Sequence, residues 1–365
     1  MKDAMMRPVT EAELAEAVAG AAGPLLVRGG GTRMLGHAEG AVLETGGLSG
    51  VELYEPGALT LVVKAGTPLA EVERVLAGEK QRLAFEVPDL RGLLGRKGVS
   101  TIGGVVAANA SGPRRVQVGA ARDAALGVRF VDGSGNVVKN GGRVMKNVTG
   151  YDLVKLLAGS RGTLGVLSEV SFKVQALPEA EATLIVEGFG DEDGLAVLRS
   201  ALGSPFDISG AARHSGRCLI RVEGMAGSVA YRVGRLRDRV GGDVSVVESE
   251  ASARLWREVR DVVPLQGKPG EVWRIATLPT AAAGIVAGLE GEALWDWGGG
   301  LIWLLTGPGR GAEVAAAVAG RGHATLVKGE GGPVFLPEAP EVAALVAGLK
   351  AKFDPRGILN VGMMG

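Results

Sequence analysis

The sequence predicts an α+β fold in two parts, and three observations carry that prediction. Clustered glycines follow short apolar, strand-like runs at Val27–Arg33 (VRGGGTR) and Val99–Pro113 (VSTIGGVVAANASGP). In the first half, short β-branched strands outnumber helices and do not alternate with them, which argues against serial βαβ units. The texture then changes at Pro178 and the acidic run Glu179–Glu181. The divisions expected are 1–178, 179–340, and a C-terminal helix and tail over 341–365.

Taken in order, Thr10-Glu-Ala-Glu13 is a capping box that opens a helix over Glu11–Ala19, with Leu14, Ala15 and Val18 on one face. Pro24 leads into a strand at Leu25–Arg28 and the first glycine turn. Ala41–Glu44, Val51–Tyr54 and Leu59–Lys64 read as strands between Gly and Pro punctuation. Thr67 is expected to cap a helix over Pro68–Leu76, with Pro in its first turn. Ala125–Val131 alternates as a strand, Asp132-Gly-Ser-Gly-Asn136 is a hairpin turn, and Val137–Lys139 returns. A further glycine turn, Gly159–Gly165, lies between Lys155–Leu157 and Gly165–Val174. Beyond residue 180, strands at Thr183–Glu187, Cys218–Glu223 and Leu301–Leu305 alternate with helices near Gly194–Leu202, Ser228–Val240 and Glu313–Val318. That pattern reads as a sheet covered by helices on one side. Pro340–Phe353 is a helix stopped by Asp354-Pro355, and Arg356–Gly365 is expected to run off as an extended tail.

Composition excludes several classes. Glycine supplies 60 of 365 residues, more than twice the ordinary share of about 7%, so glycine abundance alone marks no site. Forty basic and forty acidic residues cancel, leaving no electrostatic case for nucleic acid or an anionic membrane. The single cysteine, Cys218, excludes an internal disulfide and an all-cysteine metal site within the chain, and reads as a small buried hydrophobe. His37, His214 and His323 never fall into a ligand spacing, so no metal site is expected. The N-terminus carries charges where a signal peptide needs an apolar run. Stretches such as Thr280–Leu289 and Leu301–Leu305 are too short or too glycine-broken to span a bilayer. A cytoplasmic protein is expected, with peripheral attachment through a partner left open.

The glycine turns carry the chemistry. Without Cβ atoms, their amides approach an anion closely, so two such turns point to a phosphate-bearing cofactor held from two sides. Gly29-Gly-Gly-Thr-Arg-Met34 lacks the third glycine of the G-x-G-x-x-G fingerprint, and no G-x-x-x-x-G-K-[ST] occurs. A nicotinamide dinucleotide fold of that type and a P-loop nucleotidase are both excluded. One glycine by itself is a turn; the decisive signal is the order of several motifs.

Those motifs are RGGGTR, FEVPD (85–89), STIGGVVAANASGP (100–113), GAARDAALGVRFVDGSG (119–135), KNVTGYDLVKLLAGSRGTLGVLSEV (146–170) and DPRGILNVG (354–362). In this order they resemble the FAD-binding domain of vanillyl-alcohol-oxidase-type (PCMH-type) flavoproteins. Overall length and order are most similar to the FAD-binding E subunits of bacterial glycolate oxidases. The resemblance is dense over 22–178, clear again at 350–362, and general between 180 and 340. It implies a two-part PCMH-type FAD-binding domain, then an α+β substrate or cap domain, with the C-terminal segment returning to the FAD domain.

The resemblance also implies site residues. Gly29, Gly30, Gly31, Thr32 and Arg33 would wrap the FAD pyrophosphate, and Thr32 stands where covalent members carry a flavin-linked histidine, so FAD would be non-covalent. Thr101, Gly103, Gly104, Asn109, Ser111 and Gly112 would form a second wall, preceded by Pro88 and Asp89. Gly119, Arg122 and Asp123 would follow the cofactor, Gly165 and Val166 would pass the adenine, and Asn360 would return to the flavin ring. Here the usual Asn-Pro-Gly is Asn-Val-Gly. Read as residues alone, Arg122-Asp123 is also a surface ion pair, and Asn109 also a turn cap.

The implied activity is oxidation of a 2-hydroxy acid, glycolate to glyoxylate. That needs a cation for the carboxylate and a base for the hydroxyl proton. Arg260, four residues after Trp256 on one helix face, and Arg274 beside Trp273 are the candidate carboxylate clamps. No catalytic base is assignable. The implied partners are a larger homologous FAD subunit and an iron–sulfur subunit. Two alternatives stand beside this reading: a free-standing FAD-dependent alcohol or hydroxy-acid dehydrogenase, and a non-catalytic scaffold.

Overall fold

A computed structural model of the chain describes residues 5–143, 150–330 and 332–364. Lys146–Thr149 of the fifth motif, Met1–Ala4 and Gly365 lie outside the described residues.

The N-terminal half builds around helix α1 (Glu11–Ala19). Its start is the expected capping box: the Thr10 hydroxyl accepts from the Glu13 amide, and the Glu13 carboxylate accepts from the Val9 amide. Strands β1 (Leu25–Arg28) and β2 (Ala41–Glu44) pair in parallel, separate from the main sheet. That sheet takes β3 (Val51–Glu55), β4 (Thr60–Lys64), β6 (Ala125–Val131), β7 (Val137–Gly141) and β8 (Val166–Ala176) in the antiparallel order β3-β4-β8-β6-β7, and β5 (Gln81–Leu83) adds to β8. Helices α2 (Leu69–Gly78), α3 (Arg91–Leu94), α4 (Ile102–Ala107), α5 (Arg115–Val118), α6 (Ala121–Ala124) and α7 (Leu153–Leu157) fill the connections. Phe85, Phe130 and Phe172 lie buried among the Val and Leu residues of this core.

One expectation fails at α2. Thr67 does not cap it, because its buried hydroxyl is engaged by the Gly50 amide and carbonyl, and the helix begins at Leu69 without a side-chain cap. The Asp132–Asn136 segment is a hairpin turn: one Asp132 oxygen accepts from the Ser134 and Asn136 amides.

Only three residues separate β8 from β9 (Ala180–Glu187). The second half is one antiparallel eight-stranded sheet. It comprises β9, β10 (Ile208–His214), β11 (Arg217–Gly224), β12 (Asp243–Glu248), β13 (Glu271–Thr277), β14 (Glu292–Asp296), β15 (Leu301–Thr306) and β16 (Gly322–Lys328), in the order β12-β9-β11-β10-β14-β15-β13-β16. Helices α8 (Asp191–Leu202), α9 (Ala226–Val240), α11 (Ala282–Ala287) and α12 (Gly311–Val318) share a core with one face. The other face is not bare, contrary to the one-sided reading. Helix α10 (Ser249–Arg260) packs there through Trp256, whose indole donates to the Thr183 hydroxyl at 2.7 Å. Gly210 makes the room, since a Cβ there would stand 2.7 Å from the Trp256 ring.

The tail departs from the expected extended run. After α13 (Pro340–Phe353), Leu359 bridges to Leu25 of β1, and Arg356 donates to carbonyls at the end of α1. Lys350 pins the turn by donating to the Thr163 and Leu359 carbonyls and to Asp354.

A buried ionic chain clamps the two halves together. Arg221 of β11 donates to both oxygens of Glu86, at 2.9 and 3.1 Å. Arg114 donates to both oxygens of Glu223, at 2.9 and 3.0 Å, and Arg82 adds a bond of 2.6 Å. Burial alone would raise both carboxyls; Arg221 and Arg114 overcome it and hold Glu86 and Glu223 below the ordinary carboxylate range. Removing one member strands buried charge, so Glu223→Gln is expected to cost about 3–5 kcal/mol, read from denaturant midpoints. Because both carboxyls titrate lower folded than unfolded, their stabilisation is complete above the unfolded pKa near 4.3. It is lost as pH falls below that, and Glu223→Gln should flatten the acid limb.

Candidate cofactor cleft

Strand β1 ends at Arg28, and the chain turns through Gly29–Arg33 directly against the segment Gly98–Thr101. The approach is close enough to demand glycine. A Cβ on Gly30 would lie 1.6 Å from the Val99 carbonyl oxygen, and one on Gly29 would lie 2.1 Å from the Thr101 hydroxyl. The two glycine turns therefore meet, and both line one cleft. Ser160–Gly162, Gly165 and Val166 line it as well, as do Asn360 and Met363 of the tail.

The cleft has the electrostatics of an anion site. Among the described residues, the amides of Gly29–Arg33 donate to no protein acceptor, so five consecutive N–H groups remain unspent. Arg28, Arg33 and Arg161 line the space, and no carboxylate does. Arg28 is paired with Glu44 at 3.1 Å. Arg33 donates to the Pro88 carbonyl and the Ser100 hydroxyl, yet its Nε is buried without an acceptor. Burial depresses Arg33 and Arg161 to about 10, so both stay charged at neutral pH while poorly compensated. Asn360 holds the wall in place: its amide accepts from the Val27 N–H at 2.7 Å and donates to the Arg161 carbonyl at 2.7 Å.

Other expected residues stand outside this lining. Asp89 pairs with Arg91, and its amide donates to Asp261; Pro88 meets the cleft only through Arg33. Asn109 has φ +45° and accepts from the Arg122 amide, a turn-capping role. Asp123 accepts from the Ala120 amide beside Gly119 and pairs with Arg122 at 3.7 Å. Ser111 accepts from Arg115, and the Gly112 carbonyl accepts from the Trp297 indole at 3.0 Å, so this wall faces the second half of the chain. Sequence reasoning missed Ser160, Arg161 and Gly162; the Gly159–Gly165 turn was its signal.

A family model described as an FAD binding domain matches residues 2–141. The glycolate oxidase subunit GlcE of Escherichia coli (strain K12) is 36% identical over 346 residues, covering 93% of this chain and 92% of that protein. The chain belongs to the GlcE family. Glycolate oxidase subunit GlcD of Bacillus subtilis (strain 168) is 32% identical over 166 residues, 44% of this chain and 34% of that protein. An alkyldihydroxyacetonephosphate synthase shares the fold, with a TM-score of 0.69 at 16% identity over 98% of this chain and 76% of its own.

FAD is thus the cofactor of this GlcE-family chain, and the cleft fits it. Unspent amides, an orphaned arginine Nε and acid-free walls suit a diphosphate, which carries two negative charges and many acceptor oxygens.

The substrate candidates separate. Arg260 is engaged by both oxygens of Asp261 at 2.8 Å, and Trp256 faces the sheet under the Arg221 guanidinium, so that helix face does not present a clamp. Arg274 has no hydrogen-bonding or ionic partner among the described residues; its guanidinium lies 5.4 Å from the Trp297 ring centre. Arg115 lies 4.8 Å from the same ring. Trp297 itself sits at φ +54°, its amide held 2.7 Å from an Asp296 oxygen. Burial pushes Asp296 up to about 7. His37, His214 and His323 stand apart, and no group of three or more potential metal ligands gathers among the described residues.

Gly30→Ala should abolish flavin retention, read as the ratio of 450 nm to 280 nm absorbance after gel filtration. Gly234→Ala, in exposed helix with nothing within 4 Å, should keep full flavin and gain about 0.5–1 kcal/mol.

Proposed function

We propose that this chain is the FAD-carrying E-type subunit of a glycolate oxidase complex on the cytoplasmic side. It would work beside a larger homologous FAD subunit and an iron–sulfur subunit that accepts electrons. The observation that carries the reading is the meeting of the two glycine turns around an acid-free cleft, in a chain similar to GlcE along nearly its whole length.

Bound there, FAD supplies hydride acceptance and electron release. The chain's own residues hold and orient it. The amides of Gly29–Arg33 and the Thr32 hydroxyl take the diphosphate, with Arg33 and Arg161 balancing its charge. Thr101, Gly103 and Gly104 line the cleft beside that turn, and Gly165, Val166 and Asn360 complete its lining. Thr32 offers no nucleophile of the histidine type, so acid precipitation should release all the flavin and leave none on the polypeptide.

Helix α13 supports the subunit reading over a free-standing dehydrogenase. It buries no residue, and Val342, Leu345 and Val346 are 43%, 70% and 49% exposed. A contiguous exposed apolar face of that kind suits a protein partner, here the larger subunit. No helix among the described residues is long and apolar enough to cross a membrane.

Purified alone, the flavin-loaded chain should reduce an artificial acceptor with glycolate at no more than a few per cent of the assembled complex. Turnover by the isolated chain matching the complex would favour the free-standing enzyme, and a colourless preparation would favour the scaffold. Leu345→Glu should leave flavin content unchanged and abolish co-purification of the larger subunit.

A further inference from the structure

Between the FAD-domain segment Ser111–Val118 and the eight-stranded sheet, two arginines from opposite halves of the chain converge on one indole. Arg115 comes from α5 and Arg274 from β13, and their guanidinium carbons lie 4.8 and 5.4 Å from the centre of the Trp297 ring. Trp297 is fixed from three directions: its indole N–H donates to the Gly112 carbonyl, its amide donates to Asp296, and its left-handed φ pins the turn. Residues of this size hold such a φ only where the surroundings over-determine it.

Neither arginine has a carboxylate partner among the described residues. The charge balance of the neighbourhood is therefore open. Arg274 is pushed down to about 10 by burial first, then by the like charges of Arg115 and Arg161; Asp296 alone opposes. Asp296 is itself held near neutrality by burial, so it supplies only part of a counter-charge. Arg221, Arg114 and Arg82, along the same interface, show the contrast, since Glu86 and Glu223 pair with them directly. Arg115, Arg274 and Trp297 are each only partly buried, so the cluster is not sealed in the core. Arg161, whose charge acts on Arg274, also lines the cofactor cleft.

We propose that Arg115 and Arg274, gathered on Trp297, form the subsite that binds the carboxylate of a small organic acid next to the cofactor cleft. Guanidinium forks match a carboxylate in two parallel charge-assisted hydrogen bonds, and partial burial strengthens them relative to water. Taking one arginine from each half makes the subsite complete only when the halves are clamped. The inference rests on the cleft's being the FAD site, because that places the subsite where a bound acid faces the cofactor.

The test uses the full flavin-loaded chain with oxalate as the probe, followed by thermal melting and by perturbation of the flavin absorption bands. Wild type should melt higher with oxalate and show a saturable spectral shift. Arg274→Met keeps the aliphatic stem over Trp297 and removes the charge. It should weaken oxalate binding at least tenfold while melting at or above the wild-type temperature without ligand, because it relieves uncompensated like charge. Arg274→Lys should retain part of the affinity. Wild-type-like binding by Arg274→Met overturns the proposal. So does a variant that fails to fold or melts many degrees lower, since Arg274 would then be structural. Flavin content is read separately: an oxalate-induced melting shift without bound flavin would sink the cofactor reading and leave the carboxylate subsite standing.

Discussion

The placement of everything functional depends on the ion chain Arg82–Glu223–Arg114, with Arg221–Glu86 beside it. It is buried, it crosses from the first sheet's connections to β11 of the second, and its guanidinium–carboxylate pairs are mostly two-pronged. Such pairs stabilise less than apolar packing of the same volume, but they are intolerant of misalignment. A hydrophobic interface would permit sliding; this one fixes a single register. That register delivers the Trp297 indole to the Gly112 carbonyl and the Asp261 carboxylate to the Asp89 amide.

Within that frame, two sets of polar groups differ in how they are satisfied. In the clamp every guanidinium meets a carboxylate. The cleft and the Trp297 cluster are charge-incomplete, with unspent amides at Gly29–Arg33, an orphaned Arg33 Nε, and Arg161 and Arg274 depressed by burial without a full counter-ion. Native interiors rarely leave such groups unpaired. In the cleft and the Trp297 cluster the unpaired groups are N–H donors or guanidinium groups, so each place is suited to an anion.

Much of this was legible in the sequence where local chemistry is strong. The capping box at Thr10–Glu13, the hairpin at Asp132–Asn136 and the α13 span follow from short-range hydrogen bonding and Pro placement. The glycine turns were legible because their spacing serves close backbone approach. What escaped was tertiary. Thr67 reads as a cap until Gly50 takes its hydroxyl. Arg260 and Arg274 look alike in sequence; only the fold shows that Asp261 satisfies one and nothing carboxylic satisfies the other. Arg161 gave no signal beyond lying in a glycine turn, because the ring its guanidinium lies over, Phe335, is far along the chain.

The adjacent arginines 114 and 115 put the contrast into one step of the backbone. Arg114 turns toward Glu223 and belongs to the clamp; Arg115, the first residue of α5, turns toward Trp297 and has no acid of its own in the cluster. A chain selected only for stability would pair both, since an uncompensated guanidinium near others costs folding free energy. Proteins carry such costs where function needs them, and relieving them commonly stabilises at the expense of activity. The clamp therefore does more than hold two halves together. It supplies the stability against which Arg115 and Arg274 can stay unpaired, and it brings both guanidinium groups, one from each half, to the same indole.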